Sequence, residues 1–279
     1  MPVERIEAAF SKARAEGRKP LATYSMAGDP DGETALAILE ELAKSADILE
    51  IGMPFTDPVA DGPVIQAAGL RALAQGTGLK AVFSIVQQFR SKNSTTAIIL
   101  MGYFNPVLAY GVEKFINDCS MIGVDGLIIA DLPAEEADEI APIAQQKNIA
   151  LIRLVTPTTD AARLDVILRH AGGFLYYVAI AGVTGTASAD PAKVAAHLSA
   201  LRSRTDLPIM AGFGVKTPED AASLAGAADG VIVGSALIAL IEEAVRDGAD
   251  PALRETLPAR LGQKAAELAA ALRGKEEAA

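Results

Sequence analysis

A (β/α)8 barrel is the fold class this sequence predicts, on three observations. Eight short, continuous apolar runs alternate along the chain with segments of helical spacing. Runs that are apolar on both faces suit strands buried between a barrel interior and an outer ring of helices. The length of 279 residues is close to the about 250 usual for that fold, so a single domain, 1–279, is expected. The first strand is followed by Gly28-Asp29-Pro30, not by the G-x-G-x-x-G turn of a doubly wound open sheet, which is the alternative.

Taken in order, Val3, Ile6, Phe10 and Ala13 recur at helical spacing among charges and predict a leading amphipathic helix within residues 1–17. The barrel is expected over 18–248. Its first strand, 21–28, ends in the turn 28–32, and a helix over 35–43 follows. Ile48, Leu49 and Ile51 mark the second strand, with helical segments at 64–74 and 78–90 after it. A third strand at 95–103 precedes a helix at 112–121. The fourth, 126–131, leads to Pro133 and three acids, an expected helix opening. The fifth, 149–156, is followed by Pro157-Thr158-Thr159-Asp160, capping a helix that runs to His170. The sixth, 174–180, enters the loop 181–188, and Asp190-Pro191 starts a helix to about Arg202. The seventh, 207–214, precedes a helix start at Thr217-Pro218-Glu219-Asp220, and the eighth, 230–235, passes directly into a helix over 236–246. Residues 249–279 read as one Ala-rich C-terminal helix with a frayed tail.

Composition narrows the function. Apolar residues make up 51%, charged residues 22%, and there are 24 glycines, a globular composition. A formal charge of −10 argues against nucleic acid or an anionic membrane as partner. It leaves room for an anionic substrate, because backbone N–H groups alone can hold a phosphate. The single cysteine, Cys119, rules out an internal disulfide and fits a reducing, cytoplasmic setting. The N-terminal segment is read as neither signal peptide nor membrane span.

In such a barrel the chemistry collects at the C-terminal ends of the strands. Those positions include Tyr24, Glu50, Met101, Asn105, Asp131, Thr156, Tyr176, Thr184, Phe213 and Ser235, with Asp61 on the long loop after strand two. Glu50 stands out because a carboxylate inside an apolar strand is costly to bury unless partnered or protonated. Pro54, Pro58 and Pro63 pre-shape the loop that carries Asp57 and Asp61. A structural pairing of Glu50 with a lysine or arginine is the plain alternative. After strands seven and eight, Gly212-Phe213-Gly214 and Gly234-Ser235 let the backbone approach an anion at a helix N-terminus, with Gly185 as a third donor. The same glycines could serve only to turn the chain. No lysine lies inside a strand to form a Schiff base; Lys216 precedes the Thr217 cap. His170 and His197 fall on helices, away from a metal site, and Cys119 reads as a small core residue. Carboxylates remain as the acid–base groups, and no metal is expected.

The run Leu49-Glu50-Ile51-Gly52-Met53-Pro54-Phe55-Thr56-Asp57-Pro58-Val59-Ala60-Asp61-Gly62-Pro63 closely resembles the signature of the tryptophan synthase alpha subunit family. Gly28-Asp29-Pro30, Met101-Gly102-Tyr103-Phe104-Asn105-Pro106, Ala130-Asp131-Leu132-Pro133, Gly182-Val183-Thr184-Gly185, Gly212-Phe213-Gly214 and Gly234-Ser235 match as well, in the family's order across nearly the whole chain. The resemblance implies a lyase that splits indole-3-glycerol phosphate into indole and glyceraldehyde 3-phosphate. It implies no cofactor in this chain, and a partner beta subunit that carries pyridoxal phosphate, in an α2β2 complex. Glu50 would then be the acid–base group, with Asp61 stabilising charge at the indole N–H. Tyr24, Met101, Ile128, Leu154, Tyr176, Thr184 and Phe213 would line the indole and glycerol pocket. Gly185, Gly214, Gly234 and Ser235 would hold the phosphate, and Asp57 and Pro58 would face the partner. The loop after strand six would fold over the substrate, with Thr184 beside Asp61. Ile180 departs from the polar or basic residue that some members carry there. Two other readings stand beside this one: a flavin-dependent barrel holding FMN on the same glycines, and a catalytically weak partner barrel.

Overall fold

The computed structural model describes residues 2–178, 191–212 and 214–273. Among these residues nine parallel strands form one sheet: β1 (Leu21–Met26), β2 (Ile48–Gly52), β3 (Ala97–Gly102), β4 (Gly126–Ile129), β5 (Ala150–Leu151), β6 (Arg153–Val155), β7 (Leu175–Val178), β8 (Ile209–Gly212) and β9 (Gly230–Val233). Their order is β5-β4-β3-β2-β1-β9-β8-β7-β6. The two end strands are halves of the single fifth strand expected from sequence, interrupted at Ile152. The first half pairs with β4 and the second with β7. The Ile152 N–H still reaches the Leu127 carbonyl (2.9 Å), so the chain itself carries the sheet round into a barrel of eight strand positions.

Around it stand α1 (Pro2–Ala15), α2 (Gly32–Leu42), α3 (Pro63–Ala74), α4 (Leu79–Lys92), α5 (Phe104–Tyr110), α6 (Val112–Ile122), α7 (Ala141–Gln146), α8 (Ala161–Leu168), α9 (Pro191–Arg202), α10 (Pro218–Ala225), α11 (Ser235–Val245), α12 (Pro251–Glu255) and α13 (Leu257–Ala271). No helix among the described residues is long and apolar enough to cross a membrane.

Several elements differ from the sequence expectation. The segment after Pro133 is a 3₁₀ helix, Ala134–Glu139, followed by the short α7. Pro142 has no N–H for the Asp138 carbonyl, so a helix begun at Pro133 cannot run through it. Helix α5 was not anticipated; its first N–H, from Phe104, is taken by the Asp131 carboxylate (2.7 Å), a cap supplied from another loop. Gly111, with φ of +95°, separates α5 from α6. The C-terminal helix is two helices, broken where Pro258 opens α13. Helix α8 ends at Leu168, so His170 lies just beyond it.

Alternation along the strands sorts side chains between interior and helix layer. Ala22, Ile48, Ile99, Ile128, Ile152, Phe174 and Ile232 point inward, and Ile6 and Phe10 of α1 close the N-terminal end of the barrel against them. The Phe10 and Phe174 rings lie 6.2 Å apart. Leu49, Ile51, Ile98, Leu100, Leu127, Val231 and Val233 pack outward under the helices.

That same N-terminal end carries a repeated electrostatic fastening. Asp47, Asp125 and Asp229 each stand immediately before a strand. Their N–H groups donate to the carbonyls of Leu21 (2.9 Å), Ile98 (2.8 Å) and Ile209 (2.8 Å) on the neighbouring strand. Their carboxylates accept the N–H of those same residues, at 3.0, 2.7 and 2.9 Å. Arg18 holds Asp47, Arg5 and Arg90 hold Asp125, and Arg202 holds Asp229. The Asp125 side chain is 0% exposed, and burial pushes its pKa up to about 6 in spite of the two guanidiniums. Removing one member of a buried ion pair leaves uncompensated charge, at a cost of about 3–5 kcal/mol. Asp125→Ala is therefore expected to lower unfolding free energy by about that amount in urea titrations. Asp229→Ala should cost clearly less, because Arg202 is 40% exposed and already shared with water.

Candidate active site

The inward face of β2 presents Ile48, Glu50 and Gly52 in turn, which carries Glu50 to the C-terminal end of the barrel. In register it stands between Tyr24 of β1 and Ile99 of β3. It is 2% exposed, and no cation or hydrogen-bond donor among the described residues pairs with it. Burial, and next the negative charge of Asp61, push its pKa up from near 4.5 to about 8.

Asp61 reaches the same region from the loop between β2 and α3. The loop is tied inward: the Asp61 N–H donates to the Pro58 carbonyl (3.1 Å), and Gln66 Nε2 donates to the Asp61 carbonyl (2.8 Å). Tyr103, just after β3, accepts the Ala60 N–H on its hydroxyl (3.0 Å), which ties the backbone beside Asp61 to the rim of the barrel. Its ring packs on Phe55, centroid to centroid 5.5 Å. Burial raises the pKa of Asp61, and the Tyr103 hydroxyl pulls against that rise. Glu50 is dry and, among the described residues, unpartnered; Asp61 is half-buried on its loop.

A cavity of about 500 Å³ opens over the two acids. Tyr24, Met101, Leu154 and Tyr176 line it, together with the apolar Val64, Ile65, Val215 and Ile232. Two glycines make room for the tyrosines. A Cβ at Gly52 would collide with the Tyr24 hydroxyl, and one at Gly212 would come within 2.8 Å of the Tyr176 hydroxyl. Gly214, Gly234 and Ser235 also line this cavity. Gly214 has φ of +68°, a conformation that favours glycine. Ser235 begins α11, and the Gly234 carbonyl accepts from Leu237 and Ile238. The N–H groups of Ser235 and Ala236 therefore have no partner within the helix, and the positive end of the helix dipole faces the cavity.

Not every expected residue lies on this cavity. Ile128 is fully buried in the interior apolar layer, paired in register with Met101, and is absent from the lining. The period of two puts Ile128 and Ala130 on one face, and Ala130, one step nearer the mouth, is the residue the cavity reaches. Asp57 and Pro58 sit on the outer side of the β2–α3 loop beside Val59, which is 83% exposed. Thr184, Gly185 and Phe213, with Gly182 and Ile180, lie outside the described residues. Asn105 is exposed on α5, and Asp131 is engaged in capping that helix. Val64, Ile65, Val215 and Tyr103 were not singled out from sequence. Tyr103 sits inside the Met101-Gly102-Tyr103-Phe104 match, which was the available signal.

The remaining candidates lie elsewhere. His170 Nε2 is 2.8 Å from the Asp138 carboxylate, His197 is on α9, and Cys119 is fully buried. Lys216 is exposed ahead of the Thr217–Asp220 capping box. Among the described residues no group of three or more His, Cys, Asp or Glu is arranged to hold a metal ion.

Comparison with known proteins agrees with this geometry. The sequence profile of the tryptophan synthase alpha chain family matches residues 10–267. A tryptophan synthase alpha chain from Phenylobacterium zucineum is 50% identical over 274 residues, 98% of this chain and 97% of that one. The crystal structure of tryptophan synthase subunit alpha from Legionella pneumophila superposes with a TM-score of 0.87 at 41% identity, over 96% of this chain and 98% of the other. A Mycobacterium tuberculosis tryptophan synthase structure superposes with a TM-score of 0.83 at 35% identity, over 97% and 99%.

The raised pKa of Glu50 has a thermodynamic consequence. With a folded value near 8 and an ordinary value near 4.5, the native state keeps a proton that the unfolded chain releases. This favours the folded state fully below about pH 4.5, and the advantage is lost as pH rises toward about 8. Urea unfolding is expected to show stability falling across that window in the wild type and a shallower fall in Glu50→Gln. Carbon-13 titration of the Glu50 carboxyl should give a midpoint near 8 that moves down in Asp61→Asn. A midpoint near 4.5 in the wild type would contradict the burial argument.

Proposed function

The chain belongs to the tryptophan synthase alpha chain family, and from that premise we propose which of its residues perform the alpha reaction. The protein is a lyase of tryptophan biosynthesis that cleaves indole-3-glycerol phosphate to indole and glyceraldehyde 3-phosphate. Pyridoxal phosphate belongs to the beta subunit with which the family's alpha chains work, not to this chain. Family membership does not favour the flavin-dependent or catalytically weak readings.

The observation that carries the residue assignment is Glu50: a buried carboxyl with no counter-ion among the described residues, its pKa pushed up to about 8, facing Asp61 across an apolar cavity. Breaking the bond between the ring and the glycerol chain requires indole C3 to accept the bonding electrons. Protonation of C3 makes the ring an electron sink, and Glu50 supplies that proton. The ionised Glu50 then takes the proton of the adjacent glycerol hydroxyl. The O–H electrons form the aldehyde, the carbon–carbon bond breaks, and its electron pair restores the aromatic ring. Glu50 ends as it began, protonated. Asp61, in its ionised form, accepts the indole N–H and offsets the positive charge that develops on the ring nitrogen.

Met101, Leu154 and the rings of Tyr24 and Tyr176 supply the walls for the flat indole. The substrate phosphate is assigned to Gly214, Gly234 and Ser235, where first-turn N–H groups of α11 favour an anion. By resemblance the proposal extends to Thr184 and Phe213 at the indole and glycerol, and to Gly185 at the phosphate. It includes one barrel domain, a cytoplasmic α2β2 assembly, and contact with the beta subunit through Asp57 and Pro58. The exposed Val59 between these and Ala60 supports the contact, since an apolar side chain that open is suited to being covered.

The test is indole release from indole-3-glycerol phosphate with EDTA present, for wild type, Glu50→Gln and Asp61→Asn. Wild type should release indole, and each variant, shown folded by circular dichroism, should lose about 10²–10⁴-fold in kcat. Undiminished turnover in Glu50→Gln would remove the carboxyl from the mechanism.

A further inference from the structure

We infer that a second cavity, on the outer face of β6, is an anion site built to take the carboxylate or phosphate group of a small molecule on the Arg153 guanidinium. Its volume is about 400 Å³, within the usual range for small-molecule pockets. It opens between the segment after β4 and the start of α8, and it shares Ala130, Leu154 and Thr156 with the active-site cavity. β6 presents Leu154 to the substrate side, and alternation turns Arg153 to the other face. No step of the alpha reaction calls on this arginine.

Arg153 is only 7% exposed, so most of its surface has been taken out of water. Its Nη2 donates to the Leu132 carbonyl (3.0 Å), and among the described residues no carboxylate forms an ion pair with it. Two carboxylates of the segment after β4 are already engaged, Glu135 by Arg163 and Asp131 by the Phe104 N–H (2.7 Å). None of the Arg153 nitrogens is sealed off without a partner, so its unbonded N–H groups open onto the cavity it lines. A guanidinium removed from water without an opposite charge is costly, and here the place for that charge is the cavity.

The rest of the lining suits an oxyanion. Thr156, Thr158 and Thr159 all border the cavity. The Thr156 and Thr158 hydroxyls lie 2.9 Å apart, and Thr159 Oγ1 accepts the Thr156 N–H (3.0 Å). A pair of hydroxyls uses only one of its two protons, so the other is left for a ligand. Arg163 brings a second guanidinium to the same lining. Burial, and next the positive charge of Arg163, draw the Arg153 pKa down, a shift that a bound anion would reverse. A planar fork flanked by hydroxyl donors is the arrangement that recognises carboxylate and phosphate.

The experiment titrates the full chain with sodium acetate or with inorganic phosphate at constant ionic strength, following the Arg153 Nε–Hε and Thr158 backbone N–H resonances. Neither residue lines the active-site cavity, so the readout belongs to the second one. Both resonances are expected to shift and to saturate with one dissociation constant. The probe that binds more tightly tells whether the natural ligand presents a carboxylate or a phosphate. Arg153→Met keeps the apolar stem and removes the charge, and should weaken binding at Thr158 about ten-fold or more. Arg153→Lys, a point charge in place of a fork, should recover part of that loss. If Arg153→Met does not fold, the wild-type titration and Arg153→Lys decide. Resonances that stay still, or that drift linearly without saturating, would overturn the inference. So would undiminished affinity in Arg153→Met, or binding abolished when the beta subunit is added, since a partner group would then fill the cavity. None of these readouts depends on indole release, so they stand apart from the roles of Glu50 and Asp61.

Discussion

The C-terminal end of this barrel is arranged around one buried carboxyl group with no counter-ion among the described residues. Removing an ionised carboxylate from water costs far more than a fold can spare, so Glu50 answers by keeping its proton. Any cation beside it would return the group to the ordinary carboxylate range, and the described residues of the walls offer none. Leu154, Met101, Ile232 and the tyrosine rings keep the site dry, and the one nearby charge, on Asp61, pushes in the same direction. Two acids in neighbouring but unlike surroundings, one fully buried on a strand and one half-buried on a loop, are thereby fitted for unlike tasks in acid–base chemistry near neutrality.

The opposite end of the barrel follows the reverse rule. Asp47, Asp125 and Asp229 are each matched by arginine and by two backbone contacts to the adjoining strand. These fastenings and the plug formed by Ile6 and Phe10 concentrate rigidity where no substrate comes. The charges there are paired and serve stability; the carboxyl of Glu50 at the other end is paired with no cation among the described residues and serves reactivity. The barrel separates the two by the length of its strands, so neither has to be compromised for the other.

What could be read from the amino-acid order follows this distinction. The strands were legible because runs such as Ile48 to Ile51 and Ala97 to Leu100 are apolar on both faces, and few other structures bury such runs. Glu50 was legible because its cost demands a reason. The fastenings were not, since nothing local tells which arginine meets Asp125 across more than a hundred residues. The same limit hid α5, whose cap comes from Asp131, and Tyr103, whose hydroxyl holds Ala60, 43 residues earlier in the chain. Ile128 shows a subtler limit. Alternation assigns a residue to the inner face, but whether it meets ligand or core depends on its height along the barrel axis, which follows from the stagger of neighbouring strands. The break at Ile152 is of the same kind: a residue cannot announce that its two neighbours in sequence pair with different strands.

The glycines at 52 and 212 carry a consequence for how this sequence can change over generations. Each is small because the tyrosine on an adjoining strand occupies the space its side chain would take, Tyr24 in one case and Tyr176 in the other. Neither member of such a pair can vary freely. Enlarging a glycine while its tyrosine stays is blocked by collision, and shortening a tyrosine while its glycine stays opens a void beside Glu50. At 52 the accessible route is a compensated exchange, a larger residue there with a smaller one at 24; at 212 the Ile232 Cβ, also 2.8 Å away, blocks enlargement even if Tyr176 is shortened. Ancestral lineages and laboratory libraries alike should therefore reshape this binding chamber through β1 and β2, which inherit their changes together, while position 212 stays glycine.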